Sequence, residues 1–425
     1  MQATSLSLLV AAGTLNYFDR SALAIANPLI RGEIGLSLSE MGLLLSMFLW
    51  AYALAQLPGG ALADRLGARR LLGAALALWS TAQAAAGLAT TLRQFSLARA
   101  ALGLGEAPMF PCAVGVTRAW FPIRRRALVT GTWNCVSTLG PTLAPPILTA
   151  LMLAVGWRAM FVILGLVGLA IAVVWFITYR DRSTVTLVAE ELAALGATPT
   201  EAASTPTFRH WGQLFTYRTT WGLILGYFGV IYMLWLFGTW LPGYLEIQRH
   251  MDVRRTGWVA AIPFAFGVVG SIGSGALADR LLRAGHAPIA TRKTLLIAAL
   301  AGMAASTYAA AYVAGDALAV GCIAAALFFN GIATSMNWSL VSEVAPPHLT
   351  ASQAGITNFG GYLGGAVAPL ATGYIVEGTG SFTLALVLAS ILACFSALAL
   401  LLLVPNQVII IRDTGVQPPG FPRVS

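Results

Sequence analysis

Long apolar runs, separated by short polar segments, make up most of this chain. They lie near 5–30, 38–62, 71–90, 93–117, 127–152, 158–179, 219–245, 256–278, 294–313, 317–341, 353–376 and 381–404. A helix needs about 20 mostly apolar residues to cross the hydrocarbon core of a bilayer, and each run reaches that length. The pattern predicts an all-α membrane protein with twelve transmembrane helices.

One longer polar segment divides these runs. Residues 180–218 carry charges and the stretch GATPTEAASTPT, which is typical of a linker. We therefore expect an N-terminal six-helix half at 1–179, a cytoplasmic linker at 180–218, a C-terminal six-helix half at 219–404 and a cytoplasmic tail at 405–425.

Basic residues indicate the orientation of the helices. If the N-terminus is cytoplasmic, most of the 25 Lys and Arg residues fall in cytoplasmic segments, including Arg69-Arg70, Arg124–Arg126 and Arg292-Lys293. The positive-inside rule then places both termini in the cytoplasm. The net charge of +9 is spread over many loops, whereas a nucleic-acid footprint clusters on one domain. We expect no nucleic-acid partner.

Composition supports a lipid bilayer as the surrounding medium. The chain is 58% hydrophobic and 10% charged, against about 25% charged in soluble domains. It contains no pair of His or Cys at metal-ligand spacing and no nucleophile constellation, so we expect no enzyme activity, metal or cofactor. The first run lacks a basic leader and contains Asp19-Arg20, which argues against a cleaved signal peptide.

A repeated hexamer relates the two halves. The sequence GALADR occupies 60–65 and recurs at 275–280, after the second helix of each half. This position predicts two halves built alike in the same orientation, an arrangement that some secondary transporters have. We expect each copy to open a short cytoplasmic loop that gates the conformational change, with Gly60, Asp64, Arg65, Gly67, Arg69, Gly275, Asp279 and Arg280 as its residues.

Four ionisable residues lie inside the apolar runs: Asp19, Arg20, Arg99 and Glu106. Such residues cost about 2.5–3.5 kcal/mol each at a helix centre and usually mark a substrate or proton path. A buried ion-pair network that only locks helices together is the alternative. Arg99 and Glu106 are two helical turns apart on one face, while Asp19 and Arg20 point in different directions.

The balance of these four charges suggests a mechanism. Two arginines and two carboxylates sum to zero when all are ionised. An incoming anion makes the site negative, and protonation of one carboxylate restores neutrality. The sequence therefore favours co-transport of a small organic anion with protons, so that a proton gradient is the energy source.

Several motifs carry a resemblance to a known family. They are LNYFDRSALAIANP at 15–28, LWAYALAQLPGG at 49–60, GGALADRLGARR at 59–70, RAALGLGEAPMFP at 99–111 and NFGGYLGG at 358–365. Together they resemble the anion:cation symporter family of the major facilitator superfamily, which includes bacterial hexuronate, glucarate, galactonate and phthalate permeases.

The resemblance implies a role for each residue of the site. Arg20 would bind the substrate carboxylate, Asp19 and Glu106 would carry protons, and Arg99 would pair with the acidic residues. Tyr17, Tyr52 and Asn358 would hydrogen-bond the substrate. Further contacts are expected from Asn134, Ser137, Tyr232, Trp338 and Ser339, although this chain departs from sugar-acid permeases at Asn134, where those proteins often have glutamine.

Three functions remain open at this point. A sugar acid is the first candidate substrate, and an aromatic carboxylate is the second, since Trp133, Tyr232, Trp235 and other aromatic residues lie in the runs. A proton-antiport exporter would need an acid but not Arg20. We expect the protein to lie in the inner membrane of a bacterium and to function as a monomer. The 24 arginines against one lysine, Lys293, are typical of a GC-rich bacterium.

Overall fold

A computed structural model describes residues 2–122, 129–133, 135–181, 185, 212–345 and 349–409. The first half contains α1 (Gln2–Ile34), α2 (Leu38–Leu88), α3 (Leu92–Glu106), α4 (Met109–Trp120), α5 (Val136–Val155) and α6 (Trp157–Thr178). The second half contains α7 (Arg218–Ile247), α8 (Val253–Val259), α9 (Ala261–Arg283), α10 (Pro288–Tyr312), α11 (Asp316–Val344), α12 (Thr350–Thr379) and α13 (Thr383–Leu403). The described residues contain no strand, as the apolar runs predict.

Helices suit this sequence because backbone polar groups in lipid must be satisfied within the segment. Ten segments of the described chain are long and apolar enough to cross a membrane. The apolar helix at Leu139–Val155 is shorter, and α1 carries the Asp19-Arg20 pair. Large apolar side chains point outward, such as Leu88 at 72% and Ile272 at 71% exposure, as expected where lipid replaces water.

Two breaks in the helices bear on the predicted boundaries. The second and third runs are two helices that are joined in α2 across a kink at Gly67 (φ 76°, ψ 158°). The fourth run is broken at Ala107-Pro108, directly after Glu106, into α3 and α4. Proline has no N–H to donate and clashes with the preceding turn, which explains the second break.

Both GALADR copies have helical backbone and end just before a turn. Residues 60–65 precede the kink at Gly67, whose positive φ favours glycine, and 275–280 lie in the last turns of α9, which ends at Arg283. Their predicted role in gating remains a prediction. The side chains at 60 and 63–65 lie outside the described part of the chain, as do most of the predicted linker and residues 410–425, so the domain boundaries remain predictions.

The two halves meet along α2 and α12, which run antiparallel. We call this line of contacts the α2–α12 seam. At the predicted extracytoplasmic end, Glu377 Oε2 accepts a 2.5 Å hydrogen bond from Ser39 N. A Cβ atom added to Gly373 would lie 2.6 Å from Leu38 O and 3.0 Å from Gly42 Cα. The seam continues through Ser46 Oγ–Ala366 O (2.7 Å), the Tyr52 and Tyr362 rings (4.9 Å between centroids) and Asn358 Nδ2–Gln56 Oε1 (2.8 Å).

Candidate substrate cavity

A cavity of about 820 Å³ lies between the two halves. This volume falls within the range of small-molecule sites, about 300–1,000 Å³. Residues from α1, α2, α4, α5, α7, α9, α11 and α12 line it, so both halves contribute to its walls. Seven of the predicted substrate-binding residues are on its surface: Tyr17, Arg20, Tyr52, Ser137, Trp338, Ser339 and Asn358.

Arg20 is the one charged side chain among the described residues that line the cavity. Its Nε donates a 2.7 Å hydrogen bond to Glu106 Oε2, and the two side chains are 4% and 0% exposed. Its Nη2 has no hydrogen-bond partner among the described residues. The guanidinium is therefore neutralised on one edge and retains a free donor on another.

Aromatic rings surround the Arg20 guanidinium. Its central carbon lies 4.7 Å from the Tyr52 ring centroid, 5.1 Å from Phe48 and 5.2 Å from Tyr17, all in the first half. The Trp235 ring of α7 lies 6.0 Å away. These distances fall within the range of cation–π contacts, about 6 Å. The rings exclude water and fix the position of the guanidinium.

Two more ionisable residues lie behind the cavity wall. Asp19 is completely buried, and neither carboxylate oxygen has a hydrogen-bond partner in the described part of the chain. Arg99 Nη1 is 3.4 Å from the main-chain oxygen of Asp19, and its central carbon lies 5.1 Å from the Phe48 ring centroid. The sequence led us to expect Arg99 as the partner of the acidic residues. The ion pair found at Glu106 is instead with Arg20.

Other predicted residues have different positions. Tyr232 is buried and does not line the cavity; its ring stacks on Phe228 at 6.3 Å. Asn134 lies outside the described residues. Trp133 and Trp235, which the sequence offered as aromatic candidates, do line the cavity.

Several polar residues of the cavity escaped the sequence prediction, among them Gln56, Tyr362 and Asn330. Gln56 accepts the hydrogen bond from Asn358, Tyr362 packs on Tyr52, and Asn330 donates to Val230 O at 2.8 Å. Helical spacing was the available signal for two of them. Gln56 lies four residues after Tyr52 and Tyr362 four after Asn358, so each shares a face with a predicted residue.

The predicted gating residues are only partly described. Arg69 N donates a 3.1 Å hydrogen bond to Asp181 Oδ1, and Arg69 Nη2 donates to Phe176 O at 2.9 Å. Asp279 and Arg280 are exposed on the last turns of α9, and a Cβ atom on Gly275 would meet nothing within 4 Å. Arg69 therefore contacts the end of the first half and the start of the predicted linker.

Comparisons with known proteins identify the family. Residues 9–369 match the family model described as Major Facilitator Superfamily. The chain is 42% identical to the probable L-galactonate transporter of Escherichia coli K12 over 96% of this chain and 90% of that protein. It is 35% identical to the D-galactonate transporter of Escherichia coli O6:H1, over 91% and 92% of the two chains.

A solved structure has the same fold. The inward-facing, unoccupied crystal structure of a bacterial homolog of the human lysosomal transporter Spinster superposes with a TM-score of 0.76 at 20% identity. It covers 95% of this chain and 98% of that one. The chain therefore belongs to the Major Facilitator Superfamily: it is a multi-pass membrane transporter, not an enzyme, and its relatives are sugar-acid permeases of the anion:cation symporter type.

Proposed function

We propose that this protein takes up a small organic anion, specifically a six-carbon sugar acid, together with protons by alternating access. One observation carries the proposal: Arg20 is the lone charged residue among the described cavity-lining residues and keeps a free Nη2 donor. Arginine suits this role because its planar fork binds carboxylates and stays charged when buried. The carboxylate of the substrate would bind there.

The rest of the cavity suits a polyol chain. Gln56, Asn330 and Asn358 provide amide groups, and Thr334 and Ser335 provide hydroxyl groups. A sugar acid has hydroxyls along its whole length and therefore needs donors and acceptors on several walls. The names of the relatives, which refer to L-galactonate and D-galactonate, support the same substrate class.

The Arg20–Glu106 ion pair supports proton coupling. When a substrate carboxylate binds Arg20, the guanidinium has two anionic partners at short range. Protonation of Glu106 removes the excess negative charge, because a neighbouring anion in a low-dielectric site favours the neutral acid. Asp19, buried without a hydrogen-bond partner among the described residues, is a second proton acceptor in the same cluster.

Uptake by purified protein in liposomes tests the proposal. We expect radiolabelled galactonate to accumulate when the outside is acidic, and accumulation to stop when an ionophore collapses the pH gradient. Arg20→Ala should abolish uptake and galactonate binding. Accumulation that is independent of the proton gradient would contradict proton coupling. Uptake by Arg20→Ala would contradict the assignment of Arg20 as the carboxylate-binding residue.

Aromatic carboxylates form the second candidate class. The observation that favours them is the aromatic wall made by Phe110, Trp133 and Trp235. Competition by phthalate or benzoate against labelled galactonate separates the two classes. An exporter of lipophilic cations, the third alternative, would bind its substrate equally well in Arg20→Ala.

A further inference from the structure

We infer that the cavity selects sugar acids with a single carboxylate and rejects those with a carboxylate at both ends. This inference rests on the proposed function and narrows its substrate class. It depends on how charge is distributed between the two halves, which the sequence and the described side chains establish independently.

All intramembrane charge belongs to the first half. Asp19, Arg20, Arg99 and Glu106 lie on α1 and α3. The runs at 219–245, 256–278, 317–341 and 353–376, which supply the opposite wall, contain no Lys, Arg, Asp or Glu. A substrate bound to Arg20 by one end therefore presents its other end to neutral groups only.

The opposite wall is polar without being cationic. On α11 it offers Asn330, Thr334 and Ser335, and the side-chain amide of Asn330 already donates to Val230 O at 2.8 Å. These groups match the hydroxyls of a polyol. A second carboxylate would face them without a counter-ion, and removal of an unpaired carboxylate from water is costly.

At one stage of the transport cycle the second carboxylate is cut off from bulk water. The α2–α12 seam already closes one end of the cavity through Ser39–Glu377 and Gly42–Gly373. Alternating access requires the other end to close as well before the seam opens. The distal end of the substrate is then enclosed among the uncharged cavity-lining residues of the second half.

Arg20 cannot serve both carboxylates. Its Nε is engaged by Glu106, which leaves its remaining donors for one carboxylate. A doubly charged acid would also need a further proton to reach the same net charge as a singly charged acid. Charge balance and geometry therefore both favour sugar acids with a single carboxylate.

A matched pair of acids tests the inference. Galactonate and galactarate share the same carbon chain and differ in whether the last carbon is a hydroxymethyl group or a carboxylate. Binding to detergent-purified full-length protein is measured by calorimetry at neutral pH, where both acids are fully ionised. We expect galactonate to bind more than about tenfold more tightly than galactarate.

A charge placed on the opposite wall provides the complementary test. Ser335→Lys should reduce the ratio of galactonate to galactarate affinity at least about tenfold. Ser335→Gln, of similar length but neutral, should change both affinities by the same factor. Should Ser335→Lys fail to fold, the wild-type comparison decides alone.

The outcomes separate the inference from the function on which it rests. Equal or tighter binding of galactarate by the wild type overturns the inference and leaves sugar-acid transport intact. Binding of neither acid, while an aromatic carboxylate binds, overturns the proposed function and the inference with it.

Discussion

Arg20 and Glu106 form a buried ion pair at the cavity wall, with 2.7 Å between Arg20 Nε and Glu106 Oε2. The pair joins α1 to the last residue of α3, directly before the break at Ala107-Pro108. One side of the guanidinium therefore contacts Glu106 while the other reaches the cavity. In the proposed mechanism this pair links substrate binding to protonation.

Arg20→Lys tests whether the cation needs separate N–H donors for Glu106 and for the substrate. Lysine keeps the charge but concentrates it at one point, so it cannot hold Glu106 and a substrate carboxylate in the same fixed geometry. We expect galactonate affinity to fall by more than about tenfold, measured by calorimetry. Binding at the wild-type level would mean that charge alone suffices.

Glu106→Gln separates binding from coupling. Glutamine keeps a hydrogen-bond acceptor for Arg20 Nε but cannot take up or release a proton. We expect galactonate to exchange across the liposome membrane in counterflow, while acidification outside no longer drives accumulation. Proton-driven accumulation in Glu106→Gln would assign the coupling to Asp19 instead, and Asp19→Asn is the matching variant.

Gly373→Ala tests the closed end of the seam. The added methyl would lie 2.6 Å from Leu38 O, so the two main chains must move apart and the outward-open state gains population. The measure is maleimide labelling from the extracytoplasmic side of Ser46→Cys, in protein whose four native cysteines are replaced. We expect labelling several times faster than in the parent protein.

Gly378→Ala is the matched control for this experiment. It lies on the same helix, and a Cβ atom there would meet nothing within 4 Å. We expect its labelling rate to match that of the parent. Equal rates for both alanine variants would show that the seam does not restrain opening.

Gly67→Ala tests the turn within α2. Gly67 has φ 76°, and a Cβ atom there would also lie 2.8 Å from Asp181 Oδ2. These backbone angles are reached almost only by glycine and cost another residue about 1–3 kcal/mol, so we expect a lower melting temperature in detergent. Gly115→Ala on α4, with nothing within 4 Å, should melt at the wild-type temperature. A Gly67→Ala variant as stable as wild type would contradict the observed backbone geometry.

Length and hydropathy were sufficient to predict most of the helical spans, because a bilayer imposes a minimum length on each. Breaks within spans were harder to predict. Hydropathy does not detect the interruption at Ala107-Pro108, since alanine and proline leave the run apolar. Gly67 looked like part of a loop, although the chain around it stays helical on both sides.

The ionisable residues of the site were predictable because charges are rare in apolar runs. The pairing of these residues was not predictable. Helical spacing shows which residues of one helix share a face, but it does not show which helices pack against each other. The family resemblance pointed to Arg99 as the partner of the acidic residues, whereas in the structure Glu106 pairs with Arg20. Gln56 and Tyr362 were missed because neither is unusual in an apolar run. Their contacts form only where α2 and α12 pack together.

Gly42 and Gly373 place two main chains in direct contact at the closed end of the seam, with no side chain between them. A gate built from side chains opens when one of them changes rotamer, within a few nanoseconds and without moving its helix. A contact between two main chains cannot open by a change of side-chain rotamer. Opening at this point therefore requires α2 and α12 to separate as units, which makes access on this side as slow and as cooperative as the relative motion of the two halves.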